Sequence, residues 1–478
     1  MKKIELIFWG ILLSYLAIFM TGVFKPSFYD DMLHSPIRVA RLLAFNTVVR
    51  DSEHPPVLWN EARDNKGGVV VYDSSKTYNG LTIFSSSDRG STRLVDMQGE
   101  TVHEWLLPFQ EVRPSFAVIT SHDPEGVFTR GCQSLASNKL WLPDIFSLNK
   151  GGDGGLGISD ASINVPATHL YPDGGLLVLY SENGTAWTAG GVAKLDKNSR
   201  LLWKYDTILM HHSLTVGPDG KIYALGKIME NGSVTFADNN RYPCHVKDYL
   251  VILSPEGKEL KRIAVRDAFE RMLKRYNHDD GFYIRESLTT DGDLLHSNTV
   301  EVIPEGLEEK APMLKAGNLL LSLRAHGILA ILDPETEEFT WASYGPWHKQ
   351  HGSRFLKDGS VVLFDNQGNL VRGATSRILR VDLNTTGILW HYDGTAQEPV
   401  FSEQFASVRP LPNGNVLVTE TMGGRIFEVT PDHEVVWDYR NEDRTQPGFF
   451  QGMMVSAITD AQRFRPEDLP FLKQGKTP

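Results

Sequence analysis

Three histidines fall where the chain's own repeats would bring them together. His212 in HHSLTVGPDG and His351 in QHGSRFLKDG each precede the aspartate of a turn by seven residues, so they hold one register in two copies of a recurring unit. His296, in LLHSNTVEVIP, opens the matching strand of the copy between them. Imidazole can act as nucleophile, acid or base near neutral pH. Antiparallel pairing adds neighbours: a two-residue turn at Asp358-Gly359 predicts His351 opposite Asn366, beside Asp365. The second strand of the preceding copy runs back to Arg324, beside His296.

The set His351, His212, His296, Arg324 and Asn366 is cationic and rich in donors. A tetrahedral oxyanion needs several fixed donors, and its charge favours a guanidinium. His326 alternates with Arg324 on one strand face and is a secondary candidate, whereas His211 has the wrong register and should point away. Three histidines could also hold zinc, although an arginine among them would repel a metal. His245, His278 and His348 sit in loops outside the register.

The elements that position these groups are read from a phrase repeated six times. Its first part is a polar turn and a short apolar strand: NGLTIFSS, PDGGLLVLY, PDGKIYALG, GNLLLSLR, KDGSVVLFD and PNGNVLVTE. The second part is a strand, a turn and a strand that often ends in Trp plus an aromatic, as in AKLDKNSRLLWKY and FEVTPDHEVVWDY. Asp-Gly and Asn-Gly between alternating apolar runs signal hairpins, so each copy predicts a four-stranded antiparallel sheet. Repeats of roughly 40 to 50 residues that cannot bury both faces alone close radially, which predicts an all-β, six-bladed β-propeller over residues 76–445. In a propeller the first strand of each blade lines the central channel, and the three histidines converge at one mouth.

Composition sets the remaining bounds. The chain has 478 residues and a formal charge of −11, so it lacks the basic stripe that nucleic acid requires. Lys2 and Lys3 precede an apolar stretch, Ile4 to Phe24, long enough to cross a bilayer, with no small-residue cleavage site after it. Residues 1–25 therefore read as an uncleaved signal anchor, a single transmembrane helix that leaves the propeller on the periplasmic or extracytoplasmic side. Residues 26–75 read as a stalk or strap across the first blade, and 446–478 as a C-terminal tail. Cys132 and Cys244 could form one disulfide or remain two thiols. No P-loop, Rossmann glycine pattern, GxSxG elbow or HExxH is present, so no cofactor or metal is expected.

At the histidine phrases the chain resembles the bacterial aryl sulfate sulfotransferases, which work without a nucleotide sulfate donor. The matching pieces are HHSLTVGPDG, LHSNTVEVIP, LLLSLRAHGILAILDP and WASYGPWHKQHGSRFLKDGSVVLFDN, continued by SVRPLPNGNVLVTE and FEVTPDHEVVWDYRNE. The resemblance implies transfer of a sulfuryl group from a phenolic sulfate ester to a phenolic acceptor through a sulfohistidine. It makes His351 the nucleophile and gives the sulfate oxygens to His212, His296 and Arg324. The chain departs from the family pattern at Gly352, where an acidic residue is usual. Two other classes use such a scaffold: a noncatalytic propeller that binds a partner with its channel face, and a quinoprotein-like dehydrogenase, which would need a calcium and quinone site.

Overall fold

The computed structural model describes residues 59–87, 90–112, 163–182, 190–235, 241–276, 293–369, 375–445 and 453–475. The expected anchor over 1–25, most of the strap over 26–75 and Cys132 lie outside these residues. Among the described residues no helix is long and apolar enough to cross a membrane.

Strands dominate, and most of them form six antiparallel sheets of four or five strands. Four sheets hold only consecutive strands, and two borrow one from elsewhere in the chain. Leu81–Ser86, Ser91–Val95 and Thr101–Leu106 are completed by Ile458–Phe464, from the segment expected as a tail. Residues 68–72 of the expected strap add a fifth, outer strand to the sheet of Ser407–Pro410, Val416–Glu420, Arg425–Val429 and Val435–Arg440. That edge belongs to the last repeat, not the first.

The turns explain the register. In four of the repeated phrases only glycine takes a positive φ: Gly174, Gly220, Gly359 and Gly414. The preceding Asp or Asn instead folds its side chain over the turn, as Asp358 Oδ1 does in accepting the Ser360 N–H at 3.1 Å. Leu356 and Ser360 close the loop around Gly359, so the hairpin is a type I turn with a glycine bulge rather than a two-residue turn. The pairing is thereby displaced by one residue.

Apolar side chains fill the spaces between sheets. One cluster joins Leu94 and Trp105 to Val178 and Leu195 of the next sheet, another joins Leu225 and Leu250 to Leu321 and Ala330, and a third joins Phe84 and Ile458 to Ile426 and Trp437. The Trp that ends a repeat caps a turn of the following sheet. The indole N–H groups of Trp105, Trp390 and Trp437 donate to the carbonyls of Gly174, Pro431 and Met97. Innermost strands touch in sequence from Ile163–Leu170 through Leu209–Val216, Ser297–Val302, His351–Phe355 and Ser407–Pro410 to Ile458–Phe464, which touches Ile163–Leu170 again. The arrangement is propeller-like.

Candidate active site

Five of the six innermost strands are irregular. Register shifts occur between Asn164 and Ala167, Met210 and Leu214, Ser297 and Thr299, His351 and Arg354, and Thr459 and Gln462. The sixth such strand is preceded by Phe405 and Ala406, both with positive φ. His212 (φ 59°), His296 (φ 49°) and Gly352 (φ 62°) share that left-handed conformation. Bulges turn side chains out of the strand's alternation, and here they turn them toward one place.

The structure brings the three predicted histidines together. Ring centroids of His212 and His296 are 5.1 Å apart, and those of His212 and His351 are 6.1 Å apart. Arg324 begins the short 3-10 turn Arg324–His326, and its N–H donates to the His296 carbonyl at 3.2 Å. That turn corrects the placement of His326: the strand ends at Leu323, so His326 does not alternate with Arg324. His326 is buried, and burial pushes its imidazole down to about 4.

His351 pairs across the hairpin with Phe364 rather than Asn366, because the glycine turn and the bulge each shift the register. The expected side-chain contact is still made: His351 Nδ1 lies 2.7 Å from Asn366 Oδ1 and 3.1 Å from the Lys349 carbonyl. The Asn366 amide N–H groups are committed to the carbonyls of Ser402 and Phe405 at 2.8 and 2.7 Å, so its oxygen must face the imidazole. Two acceptors at Nδ1 place the ring's proton there. Nε2 keeps its lone pair. Burial, with Arg324 beside it, pushes this imidazole down to about 3, so it is neutral through the physiological range.

His296 is held differently. Its Nδ1 is 2.9 Å from Asp293 Oδ2, and its backbone N–H donates to Asp293 Oδ1 at 3.2 Å. Burial pushes the Asp293 carboxyl up, but His296, Lys227 and His211 outweigh it and hold the carboxyl below its ordinary value. The third histidine, His212, has its Nδ1 2.7 Å from Nδ1 of His211, the neighbour expected to point away. Burial and the surrounding cations push both imidazoles well down.

Side chains stitch the inner strands into one frame. Ser213 Oγ accepts the Val300 N–H at 3.3 Å, Thr299 Oγ1 accepts the Gly352 N–H at 3.0 Å, and the Asn298 amide donates to the Gln350 carbonyl at 2.7 Å. Phe405 stacks on His212 with centroids 5.5 Å apart. A cavity of about 40 Å³ runs from His212 and His351 past Phe405 to Arg354 and Asp460. Asp293, Asn298, Phe405 and His211 were not among the residues picked from spacing. Only an acidic residue three before His296 hinted at Asp293.

Gly352 explains its own departure from the family pattern. A Cβ there would stand 2.8 Å from the Ser407 Cα, in a left-handed backbone. Gly352→Ala should destabilise the protein by about 1 to 3 kcal/mol, measured by urea unfolding, because strain and overlap act together. An unchanged unfolding midpoint would mean that the backbone can relax there.

No curated protein matches the chain in a sequence search. Among solved structures, a protein of unknown function from Bacteroides caccae is 12% identical, covering 79% of this chain and 99% of its own, with a TM-score of 0.43. Virginiamycin B lyase from Staphylococcus aureus is 11% identical, covering 84% and 97%, with a TM-score of 0.39. Quinohemoprotein alcohol dehydrogenase from Comamonas testosteroni is 11% identical, covering 86% and 76%, with a TM-score of 0.37. The arylsulfotransferase (ASST) family description matches residues 168–442, more than half of the chain and the whole stretch that carries the three histidines and Arg324. On that match, the chain belongs to the arylsulfotransferase family.

Proposed function

We propose that the six sheets are the blades of a propeller whose channel mouth transfers a sulfuryl group from an aryl sulfate to a phenol through a sulfohistidine at His351. The observation that carries this reading is the state of His351. Its Nδ1–H is fixed by Asn366, its ring is held neutral, and its Nε2 lone pair remains for attack.

In the first half-reaction Nε2 attacks sulfur, the S–O bond to the aryl oxygen breaks, and the phenolate leaves with a proton taken from the site. In the second the acceptor phenol gives up its proton, its oxygen attacks sulfur, and the S–N bond breaks. His212, His296 and Arg324 supply donors for the sulfuryl oxygens as charge moves onto the leaving group. Arg324 is close enough to depress the proton affinity of His351, and it would do the same service for an anion that it does against a proton. About 40 Å³ holds a few waters but no aromatic ring, which leaves the aryl group on the open side, against Phe405.

Incubating the protein with a phenolic sulfate and no acceptor should add about 80 Da to its intact mass, the signature of a covalent intermediate. Absence of both adduct and turnover across a broad panel of donors would favour a noncatalytic binding propeller. Arg324→Lys keeps the charge but loses the planar fork, and should lower kcat/KM for aryl sulfates by about 10- to 100-fold with the fold intact. Wild-type kinetics in that variant would remove Arg324 from the sulfate site. The apolar stretch from Ile4 to Phe24 supports a membrane-anchored enzyme facing the periplasm, and membrane fractionation of the full chain checks it.

A further inference from the structure

Behind His212 lies a group of buried ionisable side chains that the transfer chemistry above does not use: His211, Lys227, Asp248 and Asp293. We propose that Asp248 and His211 form a proton relay behind His212, delivering the proton that the leaving phenolate takes and recovering it from the acceptor phenol. The relay rests on the sulfuryl-transfer reading and adds to it the source of the proton.

The geometry is a line of three groups. With Nδ1 of His211 and Nδ1 of His212 2.7 Å apart, only one proton fits between them, so one ring donates and the other accepts. When His211 donates, His212 carries its remaining proton on Nε2, at the cavity it lines. At the far end, His211 Nε2 stands 3.6 Å from Asp248 Oδ1. Both atoms are buried, and neither has a hydrogen-bond partner among the described residues. At 3.6 Å the two atoms are too far apart for a hydrogen bond, and the relay requires them to close by about half an ångström, as catalytic contacts do when substrate binds.

Charge favours a neutral resting line. Burial and the adjacent Asp293 push the Asp248 carboxyl well up, against Lys227 and Ser297, which favours the protonated form that the relay needs. Burial pushes both imidazoles well down, with Lys227 and His296 acting on both, and with His351 acting on His212. Asp293 and the Gly226 carbonyl favour a proton on His211. As the phenolate leaves, His212 gives it the Nε2 proton, takes the Nδ1 proton of His211, and His211 takes the Asp248 proton. No buried imidazolium or imidazolate accumulates. The single charge left behind is the Asp248 carboxylate, whose Cα partner across the strand pair is the buried Lys227; burial lowers the proton affinity of that amine, and Asp293 and Asp248 act to restore it. The acceptor phenol drives the same three transfers in reverse, so proton and charge balance over the cycle.

Asp248→Asn keeps the size and a donor for His211 but has no proton to release, and His211→Phe removes the bridge. Single-turnover adduct formation should be measured with phenyl sulfate, whose leaving group needs a proton, and with 4-nitrophenyl sulfate, whose leaving group does not. Both variants should slow phenyl sulfate on the order of 10²-fold while 4-nitrophenyl sulfate stays within about threefold and KM is unchanged. Wild-type protein should show a solvent deuterium isotope effect with phenyl sulfate only, a reading that needs no variant to fold. Equal slowing of both donors, wild-type rates with both, or no isotope effect would overturn the relay alone. A wild-type protein with neither adduct nor turnover would overturn the sulfuryl-transfer reading and the relay with it.

Discussion

His351→Ala should carry no sulfuryl adduct and should lose turnover by about 10⁴-fold or more, because the proposed covalent route has His351 as its nucleophile. The expected contrast with its neighbours is what makes the result specific. His212→Ala and His296→Ala leave the His351 Nε2 lone pair in place and remove stabilisation of the transition state, a loss on the order of 10²- to 10³-fold with the adduct still detectable at long times. Asn366→Leu removes the acceptor that holds the proton on Nδ1, so the adduct should form slowly because the ring samples the wrong tautomer. Intact-mass time courses on the four variants read this order directly. An adduct on His351→Ala would move the nucleophile to another residue.

The protein should lose stability steeply as pH falls below about 6.5. His169 and His326 are pushed down to about 4, and His351 to about 3, in each case first by burial. In the unfolded chain they titrate near the ordinary value, so between about pH 6.5 and 4 the unfolded state binds protons that the native state refuses. Stability therefore falls with pH in that window, by about 1.4 kcal/mol per pH unit for each group. By pH 5.5 these three alone should cost about 4 kcal/mol, a large part of a typical 5 to 15. His211 and His212 act in the same direction. Asp248 opposes them, since its raised carboxyl binds a proton that the unfolded chain has lost. Urea midpoints compared at pH 7 and 5.5 test the sum, and equal midpoints would mean that these histidines are not held neutral.

What the chain reveals before folding, and what it hides, divides along physical lines. Alternating apolar residues and Asp-Gly turns are local signals, and six sheets follow from them. The histidine register is also local, and it brings His212, His296 and His351 within one ring-to-ring neighbourhood. Bulges leave no such trace, because they depend on partners far along the chain; the pairing of His351 with Phe364 and the left-handed His212 and His296 arise there. Alternation predicts that His211 points away from the cavity, yet its Nδ1 lies 2.7 Å from that of His212. The first repeat opens on NGLTIFSS with no inner strand before it, and that gap was the one sign that Ile458–Phe464 would be needed.

That borrowed strand sets an order of assembly. Ile458 pairs with Ser86 and Phe464 with Leu81, so a sheet begun at residue 81 is completed by a strand that is synthesised long after its neighbours. A chain emerging from the ribosome must hold a half-finished first sheet, with its inner edge unpaired, until residue 464 is free. Such an edge can recruit other chains, and closing a loop of this length is slow. The same strand carries Asp460 into the cavity beside His351, so the lining of the candidate site is complete only when this late strand has paired.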